Sequence, residues 1–252
     1  MANNMMPENN GDHTKTTLQR TLEKSHDFDV KAVFLRANQM TKANFATLIQ
    51  ACIVLVVVFV IIGAITQPYI TVHDDGSFTI QHQSFIEIAT VFVVSPLITG
   101  LYMLGLSQAR KTPRTVFALF DYIPLIFLLA LTQLVNSILM QLGLVLLIIP
   151  GLYFWMATSF SLMLVADKSL TPLKAILLSC RVFNAYWGQI TALFMIMAVL
   201  AITIPLTLGL SLIWIMPLYF SLIGVLYEKL IGGEQVRTEA KPKERNESSF
   251  DA

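Results

Sequence analysis

Lysine and arginine occur in only four stretches of this chain, and long uncharged runs separate these stretches. The 17 basic residues fall before position 43, at 110–114, at 168–181 and from 229 onward. The connections that would lie on the opposite side of a six-span topology contain no lysine or arginine. This distribution follows the positive-inside rule, and it predicts a multi-pass membrane protein with both termini in the cytoplasm.

The uncharged runs set the number of spans. They lie at 45–66, 88–109, 122–166 and 182–227. The third run would measure roughly 68 Å as one helix, against a hydrocarbon core of about 30 Å, so it must fold into two spans. We expect its turn at Gln141–Gly143. The fourth run divides by the same argument, near Pro205–Gly209.

The composition excludes an ordinary water-soluble globule. The chain is 55% hydrophobic and 13% charged, whereas soluble domains average about 25% charged residues. Its net charge of +1 gives no field suited to nucleic acid. We therefore predict an all-α fold: a polytopic membrane helix bundle with six transmembrane helices, cytoplasmic interfacial amphipathic helices and one short external β-hairpin.

Three regions follow from the change in composition along the chain. Residues 1–27 and 232–252 are polar and charged, and are predicted to be disordered cytoplasmic tails. The membrane domain occupies 28–231 and opens with an amphipathic helix that we expect to lie on the inner leaflet. Asp75–Gly76, between two β-prone runs, predicts the external hairpin.

The sequence pattern predicts three two-span repeats in the membrane domain. Each unit has an outgoing span, which leaves the cytoplasm, and a returning span, which leads back to it. The units are 28–109, 110–168 and 169–231. The second and third units both open with Thr-Pro, at Thr112–Pro113 and Thr171–Pro172, and proline suits the first turn of a helix. Residues expected to shape the returning spans are Pro96, Pro150, Gly151 and Pro217. The alternative is that these short matches are chance.

A polar stripe in the third span is the first candidate site. Its residues recur at helical spacing: Thr132, Gln133, Asn136, Ser137 and Gln141. These groups cannot face lipid cheaply, so they should face other helices or a cavity. Two interpretations stay open: a polar pocket, or hydrogen bonds between helices that specify packing.

A basic collar on the cytoplasmic side is the second candidate site. It comprises Arg110, Lys111, Arg114, Lys174, Arg181 and the interfacial Trp187. A helix that begins at Pro172 would carry part of it, with an apolar face made of Leu173, Ile176, Leu177, Cys180 and Phe183. Such a collar suits anionic lipid head groups. The alternative is plain interfacial anchoring.

No arrangement typical of catalysis or metal binding appears. The core of the spans holds no ionisable residue, which counts against an ion-coupled carrier. His73, Asp74, Asp75 and His82 cluster in the external loop, but they are more simply turn and strand-end residues. We expect no enzyme activity, no cofactor and no metal.

The segment from Ile148 to Leu230 resembles the YciC-type bacterial inner-membrane proteins and the membrane domain fused to some glycerophosphodiester phosphodiesterases. The motifs that carry the resemblance are Ile149-Pro150-Gly151, Ala166-Asp167-Lys168, Ala175-Ile176-Leu177-Leu178-Ser179 and Asn184-Ala185-Tyr186-Trp187. The resemblance covers about a third of the chain. It implies a bacterial inner membrane and an envelope or lipid-related role, and it transfers no catalytic residue. This chain has no phosphodiesterase domain.

Three functions are compatible with the sequence. The first is a non-enzymatic integral inner-membrane protein in envelope or lipid homeostasis, whose partners are anionic membrane lipids or a membrane protein. The second is a transporter or channel for a neutral or amphipathic solute, with the polar stripe along its path. The third is a membrane subunit of a larger complex.

Overall fold

The computed structural model describes residues 29–73, 77–112 and 114–232. In this part of the chain, six helices are long and apolar enough to cross a membrane, and we number them spans one to six: Phe45–Tyr69, Gln83–Ala109, Val116–Leu146, Ile148–Lys168, Trp187–Leu206 and Leu212–Gly232. The chain is thus a multi-pass membrane protein, and the all-α class is confirmed.

Several spans are composed of more than one helix. Span one is the α-helix Phe45–Thr66 followed by the 3-10 turn Gln67–Tyr69. Span two is the single α-helix Gln83–Ala109. Span three joins the 3-10 helix Val116–Leu125 to the α-helix Ile126–Leu146. Span four comprises Ile148–Ala157 and Ser161–Lys168, span five Trp187–Ala201 and Thr203–Leu206, and span six Leu212–Tyr227 with the π-helix Glu228–Gly232. Among the described residues, two helices lie outside the spans, the N-terminal helix Val30–Ala43 and the connecting helix Pro172–Ala185.

Two short strands connect spans one and two. β1 (Ile70–Val72) pairs antiparallel with β2 (Phe78–Ile80), and Thr71 is opposite Thr79. The turn predicted at Asp75–Gly76 lies in residues 74–76, outside the described residues. We call this end of the bundle the strand end, and the opposite end of span two the charged end.

The N-terminal helix lies on the protein rather than only on a membrane surface. Asp29 caps it, since its carboxylate accepts a hydrogen bond of 2.9 Å from the Lys31 backbone N–H. Val33, Ala37 and Thr41 are buried, and the helix packs chiefly on span six. The apolar face expected to meet the inner leaflet is therefore largely covered by protein.

The second repeat does not open with an α-helix at Thr112–Pro113. Pro113 is outside the described residues, and the chain forms a 3-10 helix that begins at Val116. A 3-10 helix has three residues per turn, so every third side chain is aligned. Accordingly, Phe117, Phe120 and Ile123 are exposed along one edge, whereas the next edge packs on span two.

Burial alternates along the chain. In spans one, three and five 22% of the most apolar window is buried, but in spans two, four and six 50, 56 and 72% is buried. The returning spans thus form the core and the outgoing spans surround it. The first helical segment of each predicted unit also follows a cycle: the N-terminal helix packs chiefly on span six, the 3-10 helix that begins span three packs on span two, and the connecting helix packs on span four. This is the arrangement that a three-unit repeat would give, and the repeat itself stays a prediction.

Glycines allow the closest helix contacts. A Cβ at Gly105 of span two would overlap the Phe220 carbonyl oxygen of span six, and a Cβ at Gly224 would overlap the backbone of Gly105. Spans three and four meet in the same way, because a Cβ at Gly143 would lie 2.7 Å from the Gly151 Cα. Such backbone approach is the usual basis of tight helix packing in membranes.

The helix boundaries differ from the sequence prediction in two places. Span three continues past Gln141–Gly143 and ends at Leu146, so that its turn is at Leu147. The prolines expected to shape the returning spans do not coincide with a break: Pro96 and Pro217 lie inside continuous helices, and Pro150 lies in the first turn of span four. Span four instead breaks at residues 158–160.

Candidate functional site

The three returning spans meet at the charged end around one arginine. The Arg110 guanidinium donates hydrogen bonds of 2.7 and 3.1 Å to the two carboxylate oxygens of Asp167, and one of 2.7 Å to Glu228. The Tyr227 hydroxyl also donates to Asp167, at 3.1 Å. We call Arg110, Asp167, Tyr227 and Glu228 the arginine cluster. It joins the ends of spans two, four and six.

The arginine cluster is shielded from solvent. The side chains of Arg110, Asp167 and Glu228 are 24, 8 and 20% exposed. Hydrogen bonding to Asp167, and then to Glu228, raises the pKa of the Arg110 guanidinium above its ordinary value. A planar guanidinium between two carboxylates is a strong and directional pairing, so Arg110 is held in place.

This geometry alters the predicted basic collar. Arg110 is committed to two carboxylates, and is therefore a structural link rather than an available head-group ligand. Arg114 lies 3.6 Å from Asp121, with both side chains more than half exposed. The collar residues that remain exposed and form no ion pair with any described residue are Lys111, Lys174 and Arg181. Trp187 is also exposed, at 67%.

The connecting helix buries a different face from the one predicted. It begins at Pro172 as expected, and Ile176 and Phe183 are buried. Leu173 and Leu177 are instead 66 and 60% exposed, on the same side as Lys174 and Arg181. The helix thus presents an exposed surface of leucines and basic groups together, the pattern of a membrane-surface helix.

A polar cavity of about 110 Å³ lies between spans two, three, four and six. Its polar lining residues are Tyr102, Gln133, Asn136, Ser137, Thr158, Ser159 and Tyr219. Liquid water occupies about 30 Å³ per molecule, so the cavity has room for a few water molecules. None of the lining residues is charged.

Asn136 lines this cavity, and its side-chain amide is held by a hydrogen bond on the nitrogen side. Its side-chain N–H donates to the Ser161 hydroxyl at 2.7 Å, and Ser161 donates in turn to the Thr158 carbonyl at 2.7 Å. This chain of donors fixes the amide orientation, and leaves Asn136 Oδ1 buried without a partner among the described residues. Ser159 Oγ is buried and unpaired in the same sense. Both atoms are energetically costly, because a buried polar atom without a partner loses its hydrogen bonds to water.

The break in span four is closed by the connecting helix. At the break, the buried Ser179 hydroxyl donates to the Ala157 carbonyl and accepts from the Phe160 backbone N–H, the latter at 3.2 Å. A second link joins the same two elements, because the Tyr153 hydroxyl donates to the Asn184 side chain at 2.9 Å. The groups that an α-helix would satisfy internally are thus satisfied from outside, which stabilises the break.

The predicted polar stripe is divided by the structure. Gln133, Asn136 and Ser137 line the polar cavity. Thr132 is fully buried, and its hydroxyl donates to the Leu128 carbonyl of its own helix at 2.7 Å. Gln141 is exposed and lies outside the cavity lining. The site is therefore one helical turn of span three, not its whole polar face.

A larger apolar groove of about 480 Å³ lies between spans one and two at the strand end. The buried residues of span one lie between Leu48 and Leu55, and those of span two begin at Val94. The strand-end halves of both spans are therefore not covered by the rest of the bundle. The groove is lined by Ile62, Ile65, Thr66, Tyr69, His82, Phe85, Ile86, Ala89, Thr90 and Val93. Its few polar groups suit an apolar ligand with one polar end.

Metal binding has no support in the described part of the chain, where no three His, Cys, Asp or Glu side chains come together. His73 instead hydrogen-bonds Thr79 across the strand pair, at 3.0 Å. Asp74 and Asp75 lie outside the described residues.

The sequence analysis missed the arginine cluster and the role of Ser179. Asp167 and Ser179 appeared there only as motif residues, and Glu228 not at all. A basic or acidic residue at the end of each returning span was the available signal.

The chain matches no protein-family model, no curated protein and no solved structure.

Proposed function

We propose that this chain is a non-enzymatic membrane protein that binds a membrane lipid, with an acyl chain in the apolar groove. The observation that carries the proposal is the groove itself. Its volume of about 480 Å³ falls in the range of roughly 300–1,000 Å³ typical of ligand sites. Both spans that form it are long enough to cross a bilayer, so the molecules that surround the groove at this depth are lipids.

The residues at the mouth of the groove suggest how such a lipid is oriented. Tyr69 and His82 lie where spans one and two meet the strand pair, and both line the groove. Aromatic and polar side chains favour the membrane interface. The lipid head group is therefore proposed to lie toward the strand pair, with its chain between Ile65 and Phe85.

The cellular setting is part of the same proposal. The basic distribution favours both termini in the cytoplasm of a bacterial inner membrane, and the resemblance to YciC-type proteins favours a role in envelope or lipid homeostasis. The exposed Lys174 and Arg181 are proposed to contact anionic head groups at the opposite surface.

Native mass spectrometry of the protein extracted with its lipids tests the groove. We expect one defined lipid per protein, and its loss in Ala89→Trp, because the larger side chain fills the groove. Val57→Trp is the matched control: Val57 is 49% exposed on span one and outside the groove lining, so that variant should keep the lipid.

The same spectra separate the two proposed lipid contacts. Loss of lipid in Lys174→Gln/Arg181→Gln but not in Ala89→Trp would place binding at the basic surface and refute the groove. A wild-type spectrum with no stoichiometric lipid would refute both.

The polar cavity supports one second candidate, a pathway for a small neutral solute. Its lining is uncharged and includes the polar residues Gln133, Asn136 and Ser137 of span three. Solute flux into proteoliposomes, abolished by Asn136→Leu, would favour transport. Flux unchanged by that substitution would remove the cavity from any pathway.

A further inference from the structure

The turn between spans five and six supplies acceptors for its own backbone N–H groups. We call residues 202–213 the leucine turn. Each backbone N–H from Thr207 to Trp214 has an acceptor within residues 203–211, at distances of 2.8–3.3 Å. The Thr207 side chain supplies one of these acceptors, because its hydroxyl oxygen takes the Ser211 N–H at 3.1 Å. A turn in water does not need this, since water can hydrogen-bond the freed groups.

Three leucine side chains of the leucine turn point away from the protein. Leu206, Leu208 and Leu210 are 80, 96 and 70% exposed. Surface turns in water are usually rich in glycine, proline and small polar residues. Here the residue at the tip, Leu208, has φ of 51°, in the left-handed region where leucine is uncommon. An apolar side chain thus occupies a position that usually favours glycine or asparagine.

The length of span six explains both features. From Leu212 to Glu228 the rise is about 24 Å, at 1.5 Å per residue. The hydrocarbon core is about 30 Å thick, and helix tilt shortens the vertical reach further. Span two, by contrast, covers about 39 Å from Gln83 to Ala109 at the same rise. If the arginine cluster marks one boundary of the hydrocarbon, span two reaches the other boundary and span six does not.

We propose that the leucine turn does not emerge from the membrane, and that it lies among the acyl chains of the leaflet on the strand-end side. Irregular backbone exposed to hydrocarbon is tolerated only where its polar groups are satisfied, and the backbone N–H groups of residues 207–214 all have acceptors within the turn. Lipid hydrocarbon surrounds the turn, because its exposed side chains include three leucines and no charge is present between Trp187 and Tyr227. Spans five and six therefore form a hairpin that is closed inside the bilayer. This inference is independent of the apolar groove, which lies between spans one and two.

Spin-label accessibility tests the depth of the turn in the full chain. The native cysteines are first removed as Cys52→Ala and Cys180→Ala, and single cysteines are then introduced. Leu208→Cys reports the turn, Val199→Cys reports the lipid-facing surface of span five, where Val199 is 64% exposed, and Thr71→Cys reports the exposed strand β1. Each labelled protein is reconstituted in bilayers. Collisions are then measured with oxygen, which concentrates in hydrocarbon, and with a water-soluble nickel chelate.

We expect the label at Leu208 to collide often with oxygen and rarely with the nickel chelate, as we expect for the label at Val199. A label at Leu208 that collides with the chelate as readily as the label at Thr71 would overturn the proposal. A label shielded from both reagents would also overturn it, because protein rather than lipid would then cover the turn. Leu210→Cys repeats the test at a neighbouring position, in case labelling of the tip perturbs the fold. Loss of the groove lipid in the mass spectra would leave this result unchanged.

Discussion

Removal of the Arg110 charge should destabilise the protein by breaking the link among the three returning spans. In Arg110→Met the aliphatic stem is retained, but Asp167, only 8% exposed, loses its main partner. Lys168 remains 3.9 Å from Asp167, and cannot replace the paired donors of a guanidinium. Breaking a buried ion pair from one side costs about 3–5 kcal/mol. Because Arg110 is itself 24% exposed, we expect a loss of about 3 kcal/mol, at the lower end of that range.

The chain offers an internal control for this prediction. Arg114 and Asp121 form a pair of the same charge type, but their atoms are 3.6 Å apart and the side chains are 53 and 57% exposed. Exposed pairs contribute about 0–1 kcal/mol, so Arg114→Met should change stability little.

Unfolding by SDS in mixed micelles, followed by tryptophan emission and circular dichroism, would give the free energy of unfolding of each variant. The double variant Arg110→Met/Asp167→Asn should recover part of the loss, because the more buried of the two carboxylates is then replaced by a neutral amide. If Arg110→Met costs no more than Arg114→Met, the arginine cluster does not hold the returning spans together.

Three further predictions concern packing and backbone satisfaction, and the same unfolding assay measures each. Gly105→Ala should cost about 1–3 kcal/mol, because the added methyl group overlaps the Phe220 carbonyl. The control Gly63→Ala has open space around the added methyl group, so it should be neutral or stabilise by up to about 1 kcal/mol. Equal effects at the two sites would contradict the close contact of spans two and six. Ser179→Ala should cost about 1–3 kcal/mol, since a carbonyl and an N–H of the break in span four lose their partner; an unchanged free energy would mean that water replaces the hydroxyl. Thr207→Val keeps the side-chain shape and removes the acceptor of the Ser211 backbone N–H, so a cost of about 1–3 kcal/mol is expected. An unchanged free energy of unfolding would indicate that the turn is hydrated.

The spans could be predicted from sequence because their signal is local. A helix that crosses the bilayer must be apolar over its whole length, and long uncharged runs record this directly. The turn of spans three and four was misplaced because Gln141–Gly143 has turn-like composition, yet Gly143 serves a close contact with Gly151 inside the helical region. Composition does not distinguish these two uses of glycine.

The site could be predicted only in part, because its contacts join distant positions. Asn136 was identified from the spacing of polar residues on one helix, which is again a local pattern. Arg110 was interpreted as a head-group ligand because its carboxylate partners are 57 and 118 residues away in sequence. The break in span four was missed because Thr158 and Ser159 have no strong helix-breaking tendency; Ser179 stabilises the break from another helix.

The contact of the N-terminal helix with span six has a consequence for biosynthesis. This helix is among the first parts of the domain to leave the ribosome, and the surface that covers Val33 and Ala37 is among the last. At roughly 5–20 residues per second, the delay between the two is on the order of 10–40 s. During this interval the helix must shelter its apolar face on the membrane or on a chaperone. The fold is therefore completed only after span six has been synthesised, when the two ends of the membrane domain join.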